Sequence, residues 1–216
     1  MTFADRRDAG TRLARRLRHL AGEDVVVLGL PPRGVPVAAV VAAALGAPLD
    51  VVVARELRAP SRPRTVLGAV GEDGALVLDD AVVRDAGVGE AELAETERRA
   101  RAVLDRRTRR YRAAREPEPL TGRTVVLVDE GLATATAARA AVRVARARGA
   151  RRVVLAVPVC APAVVAALAE EVDEIVVLAR PSPFGTIAES YVDSSPVGDD
   201  EVAGALRRCA PADVLP

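Results

Sequence analysis

The chain has 216 residues, 50% of them hydrophobic and 28% charged, with a formal net charge of +1. These values describe a globular chain that buries a substantial core in one domain, or one domain with a small accessory piece, and they exclude a disordered protein. No basic tract stands apart from acids, no apolar run approaches the ~20 residues of a membrane span, and the N-terminus lacks a signal-like apolar region. The expectation is a cytoplasmic protein with neither a nucleic-acid nor a membrane partner. Cys160 and Cys209 are too few for a disulfide scaffold and read as reduced thiols.

Two compositional facts bear on chemistry. The sequence contains no lysine, so every fixed side-chain cation is an arginine, and Schiff-base or lysine-base mechanisms are excluded. The aromatic residues are Phe3, Tyr111, Phe184 and Tyr191. A site that stacks a ring must use one of these, an arginine plane or aliphatic side chains. His19, the sole histidine, lies among arginines and reads as a solvated surface residue.

In chain order, residues 3–20 are predicted as an amphipathic helix, with Ala9, Leu13, Leu17 and Leu20 on one face and arginines on the other. Residues 25–30 form a buried-strand run. The loop Gly29-Leu30-Pro31-Pro32-Arg33-Gly34-Val35-Pro36 follows, then a helix of small apolar residues to Leu45, with Gly46 where a helix-ending glycine belongs. Residues 49–54 are the next strand, so the unit is βαβ and both loops open at one sheet edge. Segment 55–74 is rich in Pro, Arg and Gly, with an apolar piece at 66–70, and 75–78 is a short strand. A long helix over 89–112 carries dense Glu and Arg, with Leu93, Ala100, Leu104 and Tyr111 sharing a face.

The informative stretch is 125–140, VVLVDEGLATATAARA. Four apolar residues of the kind a sheet buries on both faces end in Asp129 and Glu130, then Gly131. A small-residue loop, 133–137, opens an Ala/Arg-rich helix that ends near Gly149. A strand, a tight turn and a helix N-terminus gather backbone N–H groups and the positive dipole end, which suits a phosphate. The adjacent carboxylates suit ribose hydroxyls or a hydrated Mg²⁺. An ordinary strand–helix turn whose acids cap a helix is the alternative. Residues 152–157, 161–171 and 174–178 read as strand, helix and strand, and a terminal helix begins near Asp199. The alternation is continuous, without a linker to a second domain.

The stretch around Asp129 resembles the PRPP-binding motif of the type I phosphoribosyltransferases, in which an apolar strand, two acids and a small Thr-containing loop surround a 5′-phosphate. Val125 to Val128, Asp129, Glu130, Leu132, Ala133 and Thr134 match. Glu130 replaces the usual Asp, Ala135 the usual glycine and Ala137 a later Thr. The loop after the first strand resembles the family's pyrophosphate loop, with the arginine moved one place and one glycine removed. That family loop often holds a cis peptide, which a proline supplies at ~0.5–1 kcal/mol rather than ~2.5–4. Segment 55–74 corresponds to the family's mobile loop, where relatives often read Arg-Lys and this chain reads Arg55-Glu56. An exposed hairpin with solvated charges is the alternative there. In the tail, Pro183-Phe184, Tyr191 and Asp193 match an acceptor-side pattern, with Ser190 and Ser194 at its bulky aromatic positions.

The resemblance implies a Rossmann-like α/β fold with a parallel core sheet flanked by helices, a flexible loop or hairpin, and a small acceptor-side hood. The whole chain, 1–216, reads as one domain, with a core of about 22–180 and a hood or tail of about 181–216. It implies an enzyme of nucleotide metabolism that transfers phosphoribosyl from PRPP, with Mg²⁺, to a nitrogenous acceptor and releases pyrophosphate. Asp129 and Glu130 would grip the ribose and serve as the catalytic acids, meeting Mg²⁺ through water and PRPP rather than as direct ligands. Ala133, Thr134, Ala135, Thr136 and Ala137 would hold the 5′-phosphate. Pro32, Arg33, Gly34 and Arg55 would meet pyrophosphate, and Tyr191 and Asp193 would lie on the acceptor side. Self-association as a homodimer follows from the same analogy. The alternatives are a non-catalytic member that binds a nucleotide or sugar phosphate, and an enzyme of altered specificity.

Overall fold

Alternating apolar strands and amphipathic helices account for most of the chain, and the computed structural model describes residues 2–209. The last part of the expected tail, 210–216, lies outside them. The first helix, α1 (Arg6–Arg16), is shorter than its periodicity predicts, because a 3₁₀ turn takes over at Arg18–Leu20. Asp5 caps it by accepting the Asp8 N–H at 2.7 Å. Then follow β1 (Val25–Gly29), α2 (Gly34–Leu45), β2 (Leu49–Val51), β3 (Ala54–Ala59), β4 (Arg62–Gly71), β5 (Leu76–Leu78), α3 (Asp80–Asp85) and α4 (Glu90–Arg112). The second half runs β6 (Thr124–Val128), α5 (Thr136–Ala147), β7 (Arg152–Val159), α6 (Pro162–Leu168), β8 (Glu174–Ala179) and α7 (Asp199–Arg208). Gly46 ends α2 at φ 63°, a left-handed position that glycine adopts without penalty.

Five strands form a parallel sheet in the order β2-β1-β6-β7-β8. The pleat sorts the two cores. Val25 and Val27 of β1, with Val126 and Val128 of β6, join α1, α2, α4 and α7 in one cluster. Val26 and Leu28, with Val125 and Leu127, join α5 and α6 in the other. Both faces are therefore covered, which explains why the strands read as continuous apolar runs. No helix among the described residues is long and apolar enough to cross a membrane.

The segment likened to a mobile loop forms a hairpin of β3 and β4 that β5 extends into a three-stranded antiparallel sheet. Its base is packed: Leu57 and Leu67 are fully buried, and Ala69 and Val77 meet Ala140 of α5. The tip, around Pro60 to Arg64, is solvated, as is Arg58 beside it. Buried charges fasten this small sheet to the main one. Arg112 bonds Asp50 at 2.6 Å and Glu72 at 3.0 Å, and Arg148 bonds Glu72 at 2.6 Å. Removing one partner of such a network strands a buried charge, which costs several kcal/mol (~3–5).

The tail folds back on the N-terminus rather than forming a separate lobe. Phe3 pairs with Tyr191 in a parallel bridge, through Phe3 N–H to Ser190 O at 2.8 Å and Val192 N–H to Phe3 O at 2.9 Å. Phe184 packs against the same small cluster. His19 is half exposed and pairs with Glu174, which begins β8 at the sheet edge opposite the strand C-termini. Both cysteines are free, and burial pushes the Cys160 thiol up to about 11.

Candidate active site

In the order β2-β1-β6, the chain leaves β1 toward one side and returns through β6 on the other, so the loops after β1 and β6 diverge. A crevice outside the carboxyl ends of an open α/β sheet forms at such a switch point. Loop 30–33 and loop 129–135 flank it.

Gly34 sets the distance between the two loops. A Cβ there would lie 2.7 Å from Val128 O and 2.8 Å from Asp129 Cα, both backbone atoms that cannot move aside. The Leu30 N–H donates to Val128 O at 2.9 Å, and the Gly34 N–H returns to Leu30 O at 2.9 Å, closing the turn. The Pro31–Pro32 peptide is cis. On the other side, Leu132 is stitched to β7, its N–H donating to Val159 O and its carbonyl accepting from the Ala161 N–H, both at 2.9 Å. Gly131 lies under this loop, where a Cβ would be 2.5 Å from Val159 Cγ1. Neither α2 nor α5 has a side-chain N-cap. Two helix N-termini therefore present uncapped donors and positive dipole ends at one sheet edge.

The acids between them are held in place. Asp129 accepts the Glu130 N–H at 2.7 Å. Burial pushes its carboxyl up to about 7, and the neighbouring Glu130 and Glu56 push the same way against the pull of that N–H and of Arg33. Glu130 is 3% exposed. It bonds Arg6 of α1 at 3.0 Å and faces Arg33 Nε at 3.8 Å, while burial raises its pKa against both cations. Arg6 in turn donates to Ser195 O at 2.9 Å, and the Tyr191 hydroxyl donates to Glu130 O at 2.7 Å. One side chain from the first helix and one from the tail thus fix Glu130 from behind.

A cavity of about 320 Å³ opens over these groups. Pro32, Arg33, Asp129, Glu130, Ala133, Thr134 and Ala137 line it, together with Glu56 and Arg58 of the hairpin and Ile187 of the tail. Thr136 is buried with its hydroxyl 3.2 Å from that of Thr134. Ala135 is the residue before α5, at φ −84° and ψ −17°, a conformation any L-residue adopts, so this loop does not require the glycine it lacks. A second cavity of about 560 Å³ shares Arg33, Ala54, Glu56 and Arg58 with the first and runs between the hairpin and α4, where Arg55 lines it. Arg33 and Arg55 therefore border one space. Tyr191 and Asp193 line neither cavity: Tyr191 packs on Phe3 with ring centroids 5.4 Å apart, and Asp193 accepts from the Ser195 N–H at 2.9 Å.

Sequence reasoning did not single out Arg6, or Arg99 and Arg107 of α4. The helical arginines form a visible pattern, with Thr96, Arg99, Val103 and Arg107 on one stripe, but a solvated face explains such a stripe equally well until a hairpin is found opposite it. Glu56 was visible as a carboxylate where relatives carry a cation. Its contact was not. One oxygen accepts the Thr134 hydroxyl at 2.7 Å and the other meets Arg58.

The phosphoribosyl transferase domain profile matches residues 5–179, which span the crevice and both loops. The chain belongs to the phosphoribosyl transferase family. Two curated relatives from Mycobacterium tuberculosis, strains CDC 1551 and H37Rv, each named "Putative phosphoribosyl transferase", are 49% identical over 206 residues. That alignment takes in 95% of this chain and 46% of each relative, so the chain spans about half the length of the curated relatives it matches. A solved structure, that of TT1426 from Thermus thermophilus, is 44% identical and superposes with a TM-score of 0.82 over 97% of this chain and 100% of that one.

Proposed function

We propose that the crevice binds PRPP and transfers its phosphoribosyl group to a nitrogenous acceptor, releasing pyrophosphate. One observation carries this reading: two uncapped helix N-termini, a buried Glu130 beside a partly exposed Asp129, and unequally paired arginines converge on one crevice. The N–H groups of loop 133–137 and the Thr134 and Thr136 hydroxyls hold the 5′-phosphate. Asp129 takes the ribose hydroxyls and favours the positive charge that develops as the bond from the sugar to pyrophosphate breaks. Glu130, fixed by Arg6 and Arg33, presents the second acidic edge. Arg33 and Arg55, with the α2 N-terminus, take up the charge of the departing pyrophosphate.

The residues fit a magnesium ion that arrives with the substrate. Asp129 is an oxygen donor whose ionised form is disfavoured by burial and by Glu130 and Glu56 nearby, and a hydrated cation relieves that. Bound there, the ion would neutralise pyrophosphate charge, with Asp129 holding it through water.

A second reading, a member that binds a sugar phosphate without transferring it, is favoured by the Glu56 contact with Thr134, which puts a carboxylate beside the phosphate loop. Isothermal titration with PRPP and Mg²⁺, followed by an acceptor screen for pyrophosphate release, separates the two. Binding with release supports the transferase, binding without release from any acceptor supports the second reading, and no binding overturns both.

A further inference from the structure

The larger cavity carries more positive charge than a pyrophosphate leaving group uses. Arg33, Arg55, Arg58, Arg99 and Arg107 line it against a single carboxylate, Glu56. Four of these arginines have an acidic neighbour: Arg58 meets Glu56, Arg99 meets Glu95, Arg107 stands 3.6 Å from Asp199 and Arg33 stands 3.8 Å from Glu130. Arg55 makes no ion pair among the described residues. It is disfavoured as a cation first by burial and then by Arg107, Arg106 and Arg58 around it. Like charges gathered in a concave, partly desolvated space repel one another, and an anion bound among them relieves that repulsion.

The two walls of the cavity come from separate elements. Arg55 and Arg58 belong to the hairpin. Thr96, Arg99, Val103 and Arg107 lie at helical spacing along the one stripe of α4 that faces it. Arg33 and Arg55 serve the crevice in the reading given above and Arg58 borders it, whereas Arg99 and Arg107 have no part in it. The volume of about 560 Å³ lies within the range of small-molecule sites, and Pro60, Ala100 and Val103 add an apolar strip to the cationic lining.

We propose that the cavity between the β3–β4 hairpin and α4 is a binding site for an oligophosphate chain, contiguous with the crevice through Arg33, Ala54, Glu56 and Arg58, with Arg99 and Arg107 as its outer anchors. Guanidinium groups from facing walls suit successive phosphate groups, because each presents paired donors in one plane. The site goes beyond the transferase reading and rests on charge and shape alone. The phosphate chain comes either from an inorganic oligophosphate or from a nucleoside triphosphate whose remaining part lies along the apolar strip.

The test is titration calorimetry at low salt with inorganic tripolyphosphate, a purine nucleoside triphosphate and, separately, ribose 5-phosphate. The double variant Arg99→Gln, Arg107→Gln should weaken tripolyphosphate binding by about tenfold or more, since two charge-assisted contacts are lost. Glu95→Gln, which frees Arg99 from its pair, should tighten it. All three side chains are at least partly exposed, so the substitutions leave the core of α4 intact, and circular dichroism of each variant checks that the helix persists. Tighter binding of the nucleotide than of tripolyphosphate identifies the nucleoside source, and equal or weaker binding the inorganic one. Tripolyphosphate binding that is unmoved by the double variant overturns the proposal, as does its absence in the parent protein. Ribose 5-phosphate reports only on the crevice, so failure of the transferase reading shows up there and not here.

Discussion

Replacing Glu56 by Gln should strengthen the binding of a sugar phosphate. The Glu56 carboxylate accepts the Thr134 hydroxyl at 2.7 Å, and the same hydroxyl is the donor that a 5′-phosphate needs. The hydroxyl has one proton, so a phosphate oxygen that accepts it displaces the carboxylate from that bond and would sit roughly 5 Å from it. At an effective dielectric constant of ~20, two unit charges at ~5 Å repel by ~3 kcal/mol. Arg58 neutralises part of the carboxylate and the Glu56 side chain is 21% exposed, so the surviving penalty is smaller. After that screening it is ~1–2 kcal/mol, or about 5- to 30-fold in Kd. Glutamine keeps the shape and the Thr134 contact while removing the charge. Isothermal titration of ribose 5-phosphate into the parent and Glu56→Gln proteins should show that gain at low salt and a smaller one at about 0.5 M salt, where screening weakens the repulsion. Equal affinity at low salt would refute the reasoning, because the carboxylate would then stand clear of the phosphate.

Other substitutions read the remaining parts of the site. Asp129→Asn should weaken PRPP binding and raise thermal stability above pH 7. The folded protein holds the Asp129 proton up to about 7 against an ordinary value of 3.8, so ionisation costs stability as pH rises between the two, and the gain from Asn should vanish near pH 4 in a melting series. Gly34→Ala should lower stability by ~1–3 kcal/mol, measured in denaturant, because its methyl meets the Val128 and Asp129 backbone. Arg6→Met strands the buried Glu130, so it should cost ~3–5 kcal/mol at neutral pH and less at acid pH, where Glu130 takes a proton. Ala135→Gly should leave ribose 5-phosphate affinity within about twofold, since φ is already −84° and no left-handed strain is relieved.

The apolar runs identified the strands of the main sheet to within a residue or two at most ends, because strands buried on both faces tolerate little but β-branched and leucine side chains. The paired acids located the crevice for a related reason: carboxylates at the end of such a run have no use in the core. Contacts between distant segments were not legible. Arg6 and Glu130 are 124 positions apart, and Thr134 and Glu56 are 78 apart, so no local periodicity links them. The hairpin posed a different difficulty. Its Pro/Arg/Gly composition matches a solvated loop, yet Leu57, Leu67 and Ala69 bury its base against α4 and α5. Tyr191 matched an acceptor-side pattern, but its hydroxyl is directed to the Glu130 carbonyl, where burial and the two acids keep the phenol protonated.

The departures from the family motif are connected physically. A glutamate in place of aspartate at position 130 extends its carboxylate by one methylene, and the structure places a buried arginine at the end of that reach. Burial holds back the ionisation of both acids, but Glu130 has Arg6 and Arg33 opposite it, whereas Asp129 has two further carboxylates, Glu130 and Glu56, pushing the same way as burial. A ligand bearing a cation therefore gains most at Asp129. Glu56 acts in the opposite sense, taking the Thr134 hydroxyl and the Arg58 guanidinium, two groups that would otherwise be free for an anion. The crevice is thus biased against a bare phosphate and toward a phosphate that arrives with its charge partly neutralised. Adding Mg²⁺ should accordingly increase PRPP affinity more in the parent than in Glu56→Gln. A magnesium effect of the same size in both proteins would break the link between the two carboxylates.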